Sequence, residues 1–351
     1  MPTIVSDIHF HNWSAYSKQV EGMNSRLLDT IKATRQAFDF ALNHDKIVLF
    51  GGDLVHTRGS LIPSVFNQIV KLWQEYEQKG LKFYMIAGNH DSESIDAAKS
   101  KTALDSLESE DCRVVSQGSY CFELPGYKVW AYAWVDDLDT LQETLIRDNE
   151  KYDKKDIVLI HAAVGGFVPN ISKTLDPEFL YGLNCGYVFA GHIHKHGCYK
   201  NKVFSIGSLT QQNFGDMGKK CGFIYLGAGG VIQHFEVKAP HFIDLNNIKK
   251  LDNSLLFANE VKNSFVRLTL ENVSEEHKQK LEKELKSMKP LELDIRYTPK
   301  MVSARKEILA EPKLSGVEVM VKYIDKQPFG HKEETKQAAL KILEEVRGSN
   351  E

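Results

Sequence analysis

A chain of 351 residues with 42% hydrophobic and 26% charged residues is globular, and is long enough for one large α/β domain and a smaller one. A net charge of −3 excludes a strongly basic nucleic-acid binder, so any such affinity has to come from a local patch, from bound metal or from a partner. No apolar run reaches the roughly 18 residues that span a bilayer, and Met1-Pro2-Thr3-Ile4-Val5-Ser6-Asp7 has neither a basic nor an apolar leader segment, so neither a membrane nor a secretory signal is expected.

The first predicted strand is Thr3 to Val5. Leu27, Leu28, Ile31, Phe38, Ala41 and Leu42 then recur with a helical period across Asn24 to Asn43. Asp45 to Phe50 is a strand buried on both faces, because its apolar residues do not alternate with polar ones. Pro63 opens a helix that runs to about Lys79, and Gly80 ends it. Strand 81–87, helix 95–108 and strands near 112–123, 128–134, 156–160 and 187–190 continue the pattern. Strands alternating with helices predict an α/β fold with a mainly parallel sheet covered on both sides.

Beyond Gly191 the pattern changes. Val203–Ile206, Gly222–Leu226 and Val231–Val237 read as antiparallel strands, with Gly227 to Gly230 a turn rather than a phosphate loop. Residues 238–263 read as a polar connection, followed by a strand (264–270), a helix (275–288) and a strand (291–297). Residues 299–331 read as irregular and charged, and 332–347 as a charged helix.

Five polar clusters each follow a predicted strand: Asp7-Ile8-His9, Gly52-Asp53-Leu54-Val55-His56, Gly88-Asn89-His90-Asp91, Ile160-His161 and Gly191-His192-Ile193-His194. Ligands bind at the carboxyl ends of parallel strands, so all five are expected on one sheet edge. Carboxylates, imidazoles and an amide suit Mn, Fe or Zn. Cys112, Cys121, Cys185, Cys198 and Cys221 are scattered and form no CxxC pair, which excludes a thiolate zinc site or a disulfide scaffold and fits a reducing cytoplasm. The donors exceed what one metal needs and would serve two metals about 3.5–4 Å apart that share one carboxylate.

The pattern D-x-H, G-D, G-N-H-D, H and G-H-x-H resembles that of the calcineurin-like metallophosphoesterases, which implies a two-sheet sandwich flanked by helices. The resemblance implies one metal on Asp7, His9, Asp53 and His194, and a second on Asp53, Asn89, His161 and His192. Asp53 would bridge them, and His90, oriented by Asp91, would face the scissile phosphate. His56, three residues after Asp53, then Arg58, and the Phe204-Ser205-Ile206-Gly207-Ser208 turn are similar to features of the SbcD-type and T-even phage gene 47 recombination nucleases. That likeness covers 1–240 by motif. It implies His56 as a second catalytic histidine, and Arg58, Lys195 and Ser208 are taken as substrate-binding candidates.

The resulting division is a nuclease domain at 1–240, a small α+β cap at 241–298, a linker at 299–331 and a partner helix at 332–351. The implied function is a DNA exonuclease and single-strand endonuclease in recombination and repair, with two divalent metals, Mn²⁺ first and Mg²⁺ second. A phosphatase or cyclic-nucleotide phosphodiesterase of the same fold is the alternative, and a metal-free scaffold is disfavoured by the full ligand set. Expected partners are DNA, a second copy through helices 63–79 and 95–108, and an SMC-like (SbcC-type) coiled-coil ATPase through Ala339, Leu340, Leu343 and Val346. The helix 63–79 carries apolar residues on more than one face, which suggests an interface beyond its own sheet.

Overall fold

The computed structural model describes residues 1–94, 101–169, 171, 173–247, 254–271, 274–298, 316–326 and 330–348. The chain divides into two compact units. The first holds Met1–Asp244, Lys250–Val266 and Lys289–Glu292, and the second Leu245–Lys249, Arg267–Met288 and Leu293–Glu351.

In the first unit β1 (Thr3–Val5) leads through a small hairpin, β2 (Gln19–Val20) and β3 (Met23–Asn24), into α1 (Ser25–Leu42). Asn24 caps α1 by accepting the backbone N–H groups of Arg26 at 3.0 Å and Leu27 at 3.2 Å. There follow β4 (Ile47–Phe50), α2 (Pro63–Gln78), β5 (Lys82–Ile86), β6 (Cys112–Val115), β7 (Ser119–Leu124), β8 (Tyr127–Tyr132), α3 (Leu138–Asp148), β9 (Ile157–His161), α4 (Pro177–Tyr181) and β10 (Tyr187–Gly191). Next come β11 (Gly197–Tyr199), β12 (Val203–Ser205), β13 (Gly222–Leu226), β14 (Ile232–Glu236) and β15 (Phe242–Asp244).

Two six-stranded sheets form, in the orders β14-β13-β1-β4-β5-β6 and β11-β12-β10-β9-β8-β7. Successive side chains of a strand point to opposite faces, and here both faces are apolar. Ile4, Leu49, Ile157, Leu159 and Phe189 belong to one core, shared by the two sheets. Their neighbours Val5, Val48 and Phe50 pack with residues of α1 and α2. On the second sheet Val158, Ile160 and Val188 pack with residues of α3 and α4. The result is a helix–sheet–sheet–helix sandwich, an α/β fold. Its double burial explains why the strands read as continuous apolar runs.

β12 pairs parallel with β10 and antiparallel only with β11, which corrects the all-antiparallel reading beyond Gly191. Three residues of strand carry no signal of which neighbour they will join. The polar connection contains β15 and α5 (Ser254–Val261). Of helix 95–108, residues 95–100 lie outside the described residues, and Ala103–Leu107 is a short 3₁₀ turn that buries Leu104 and Leu107. The apolar excess of α2 is met largely within the chain, since Trp73 and Tyr76 each lie 5.1 Å from the Phe38 ring of α1.

Further along the chain come β16 (Phe265–Glu271), α6 (Glu275–Ser287) and β17 (Glu292–Thr298). In the second unit the stretch read as an irregular linker contains α7 (Gly316–Lys326). Residues 299–315 and 327–329 lie outside the described residues. The terminal helix α8 (Lys332–Gly348) packs on α7, with Lys336 Nζ 2.7 Å from Asp325. The side chains of Leu343 and Val346 lie outside the described residues. Among the described residues no helix is long and apolar enough to cross a membrane.

Candidate metal centre

The five clusters stand at the carboxyl ends of β1, β4 and β5 in one sheet and of β9 and β10 in the other. The site is therefore assembled across the ends of two sheets, not along one edge. The backbone there is unusual. Asp7, His9, Asp53 and His192 have φ of 51°, 53°, 58° and 89°, in the left-handed region that non-glycine residues rarely enter. Such residues cost on the order of 1–3 kcal/mol each and persist where their surroundings hold them. Here a ladder holds them: Asp7 N donates to the Gly52 carbonyl at 2.9 Å and His9 N to the Asp53 carbonyl at 3.1 Å.

Glycine is required where the strand ends converge. A Cβ on Gly88 would strike the backbone nitrogen and Oδ1 of Asp53 and lie 2.8 Å from His161 Cε1. Gly52, at φ 97°, would drive a Cβ into His161 Nδ1.

Two donor groups with a carboxylate result: Asp7, His9 and His194 form one, and Asp53, His161 and His192 the other, each with its ligand atoms within 4.8 Å of one another; a third cluster at the same spacing, His9, His56 and His90, is all imidazole. His9 Nε2 and His194 Nε2 face each other at 3.0 Å. Asp53 Oδ2 lies 3.7 Å from His9 Nε2 and 3.4 Å from His161 Nε2, so one carboxylate reaches both groups. The Asn89 amide oxygen lies 3.0 Å from His161 Nε2 and 2.8 Å from His192 Nδ1. The far ring nitrogens are fixed by acceptors. His161 Nδ1 donates to the Gly51 carbonyl at 2.7 Å, and His194 Nδ1 is 3.3 Å from both oxygens of Asp216. Each ring therefore turns its Nε2 lone pair into the site, as metal-ligating histidines do.

The charge states agree with a cation site. Burial pushes Asp53 up, but His161 and His9 hold it well below the carboxylate range. Burial pushes His161 down, and Asp53 more than reverses this, to about 9. The proton held there is one a cation would displace. Burial, with neighbouring imidazoles adding, lowers His56 and His192 to about 4 each. Two almost fully buried carboxylates, Asp7 and Asp53, are costly together unless positive charge compensates them. His9 Nδ1 is also buried without a hydrogen-bond partner. The donor set fits divalent metal ions.

His90 and His56 stand beside these groups. Their rings are stacked, 5.4 Å apart at 15°, and His90 lies 4.9 Å from His9. His90 Nδ1 bonds the His56 carbonyl, which only accepts, so Nδ1 carries a proton and Nε2 is turned elsewhere. The expectation that Asp91 orients His90 is corrected. The buried Asp91 carboxylate accepts the backbone N–H groups of Asp53, Leu54, Val55 and Gly88 at 2.8–3.1 Å, so it fixes the strand-end loops instead. Ser208 is corrected too: it is fully buried, with its hydroxyl toward the His194 carbonyl and Cys221, and it cannot touch substrate. Arg58 Nε donates to the Asn89 carbonyl at 2.7 Å, and its guanidinium lies 4.9 Å from the Trp134 ring. Lys195 is exposed next to His194.

Asp216 was not legible in the sequence. It also accepts Lys219 Nζ at 2.6 Å and the Gln212 N–H at 2.8 Å. It is an isolated acid in a loop, and only the fold places it behind His194.

Buried carboxylates and imidazoles in two groups joined by one aspartate, at the strand ends of a two-sheet sandwich, define a metal-dependent hydrolase. The profile of the calcineurin-like phosphoesterases matches residues 3–196, more than half of the chain, and the chain belongs to that family. A search of curated proteins finds no match. Similar solved structures include a nuclease MPE of Pseudomonas putida, with 17% identity over 58% of this chain and 66% of that one at a TM-score of 0.27. The chain thus spans just under two thirds of that nuclease's length. A dimetal phosphatase from Danio rerio shows 11% identity over 64% of this chain and 90% of that one, at a TM-score of 0.37. GAP50, the anchor in the inner membrane complex of Plasmodium, shows 11% identity over 68% and 88%, also at 0.37.

Proposed function

We propose that the protein is a metal-dependent DNA nuclease, the catalytic subunit of an assembly with an SMC-like coiled-coil ATPase. The observation that carries this reading is the second imidazole beyond the two carboxylate-bearing donor groups, His56, stacked on His90. Asp7, His9 and His194 would hold one divalent ion, Asn89, His161 and His192 the other, and Asp53 both; Mn²⁺ is the first choice. Such ions supply an activated water and neutralise charge on phosphoryl oxygens.

His90, anchored through Nδ1, would as an imidazolium donate from Nε2 to a non-bridging oxygen of the scissile phosphate. A diester in DNA then expels an alkoxide, which is far more basic than an aryl oxide and needs a proton. His56, held neutral by burial and its imidazole neighbours, can relay that proton from water but does not store it. An aryl monoester makes no such demand, so two imidazoles fit a diester better than one. Arg58 and Lys195 are the cations offered to flanking phosphates.

The test compares labelled single-stranded and duplex DNA with p-nitrophenyl phosphate, in Mn²⁺, with and without a copurified ATPase. His56→Ala should lose most DNA cleavage and keep most aryl monoester turnover. Rapid monoester turnover by the wild-type protein with no DNA cleavage under any of these conditions would make it a phosphatase.

A further inference from the structure

Arg26, in the first turn of α1, is only 6% exposed. Its Nη2 donates to the Gln212 carbonyl at 2.6 Å and its Nη1 to the Ala15 carbonyl at 3.2 Å. Its guanidinium carbon lies 4.4 Å from the centre of the Trp13 ring, 5.1 Å from Phe242 and 5.4 Å from Phe265. A cation buried against carbonyls and aromatic rings is costly to place, and the nearby Asp29 offsets that burial only in part.

Both contacts lead to the site. Trp13 lies 4.4 Å from the His56 ring, and His56 is stacked on His90. Gln212, whose carbonyl Arg26 holds, donates its own N–H to Asp216, and Asp216 holds His194 Nδ1. One guanidinium thus ties the loop after the first metal-binding motif to the loop behind the last. We propose that Arg26 is a positioning residue for both halves of the site: it sets the plane of His56 through Trp13, and the orientation of His194 through Gln212 and Asp216. A lysine cannot replace it, because only a planar fork can bond two carbonyls while stacking on a ring. The His56 half rests on the nuclease reading above; the His194 half needs only the metal site.

The test uses the full chain. Arg26→Met keeps the length and removes the fork, and Arg26→Lys keeps the charge alone. Three quantities are read: ring-nitrogen resonances of His56 and His194 in histidine-labelled, Zn²⁺-loaded protein; Mn²⁺ affinity by calorimetry; and kcat and KM for bis(p-nitrophenyl) phosphate. Arg26→Met should move both histidine signals, weaken Mn²⁺ binding roughly 10-fold, and lower kcat on the order of 10–100-fold with KM within about twofold. Trp13→Phe should move only the His56 signal, and Arg26→Met should move that signal little further in a Trp13→Phe background. Arg26→Lys should stay impaired in all three. Unmoved signals with wild-type affinity and kcat in Arg26→Met would reduce Arg26 to a core filler. If that variant does not fold by circular dichroism, Arg26→Lys decides on the same criteria. If the wild-type protein hydrolyses no diester while the signals still move, the nuclease reading fails and the positioning role stands.

Discussion

At the scale of single residues, the chemistry divides between groups that hold cations and groups that meet the substrate. His90 is of the second kind, because its Nδ1 is committed to the His56 carbonyl and it belongs to neither of the two three-residue groups that contain a carboxylate. His90→Asn should therefore lower the rate of phosphodiester hydrolysis by about 10²–10³, as loss of a preorganised charge stabiliser does. Elemental analysis of the variant should still find the wild-type metal content. Metal loss would move His90 among the ligands. Most of this division could be read from the chain, since each motif residue follows its strand directly and the strand end fixes its place. Asp216 and Arg26 could not be read, because both act on residues more than a dozen positions away through loops that only the fold brings together.

At the scale of elements, the site depends on how closely the ends of β4, β5 and β9 approach. Gly88 sits in that gap, and a methyl group there would contact Asp53 and His161 at once. Gly88→Ala should lower the melting temperature, because the methyl group meets the Asp53 backbone, and should abolish high-affinity Mn²⁺ binding in a calorimetric titration at a temperature where circular dichroism shows the variant folded. Tight binding by this variant would show that the strand ends can separate without harm. A second element-scale expectation concerns β14. His234 stacks on His196 at 4.0 Å, and burial, His196 and Lys220 lower it to about 4. Its folded pKa lies below the ordinary 6.5, so the unfolded chain binds the proton first and stability is lost as pH falls from 6.5 towards 4. Thermal melts at pH 7.5 and 5.0 should show a smaller acid-induced drop for His234→Phe than for wild type. Equal drops would remove His234 from the acid response. Sequence periodicity located most strands and the long helices but not their grouping. Apolar runs such as Ile157–His161 are buried on both faces in a single parallel sheet and in a two-sheet sandwich alike, so the run alone does not separate the two.

At the scale of the whole molecule, all three metal-capable groups found among the described residues lie in the first unit, and the terminal helix α8 lies in the second. α8 packs on α7, yet Ile342 remains 59% exposed. On the nuclease reading proposed above, a net charge of −3 leaves strong DNA affinity to a partner. Ile342→Glu, an exposed change, should leave intrinsic hydrolysis and melting unaltered and weaken pull-down of the ATPase. Undiminished pull-down would place the partner surface elsewhere.

The central claim is that the paired donor groups joined by Asp53 make this chain a metal-dependent DNA nuclease. The most direct measurement is cleavage of end-labelled single-stranded DNA by metal-stripped protein reloaded with Mn²⁺, with Asp53→Asn run in parallel. The expected result is no cleavage by the stripped protein, cleavage restored by Mn²⁺ at about two ions per chain, and none by Asp53→Asn at the same metal concentration. Cleavage by Asp53→Asn at the wild-type rate, or an Mn²⁺-loaded wild-type protein that leaves DNA intact with the ATPase present, would contradict it.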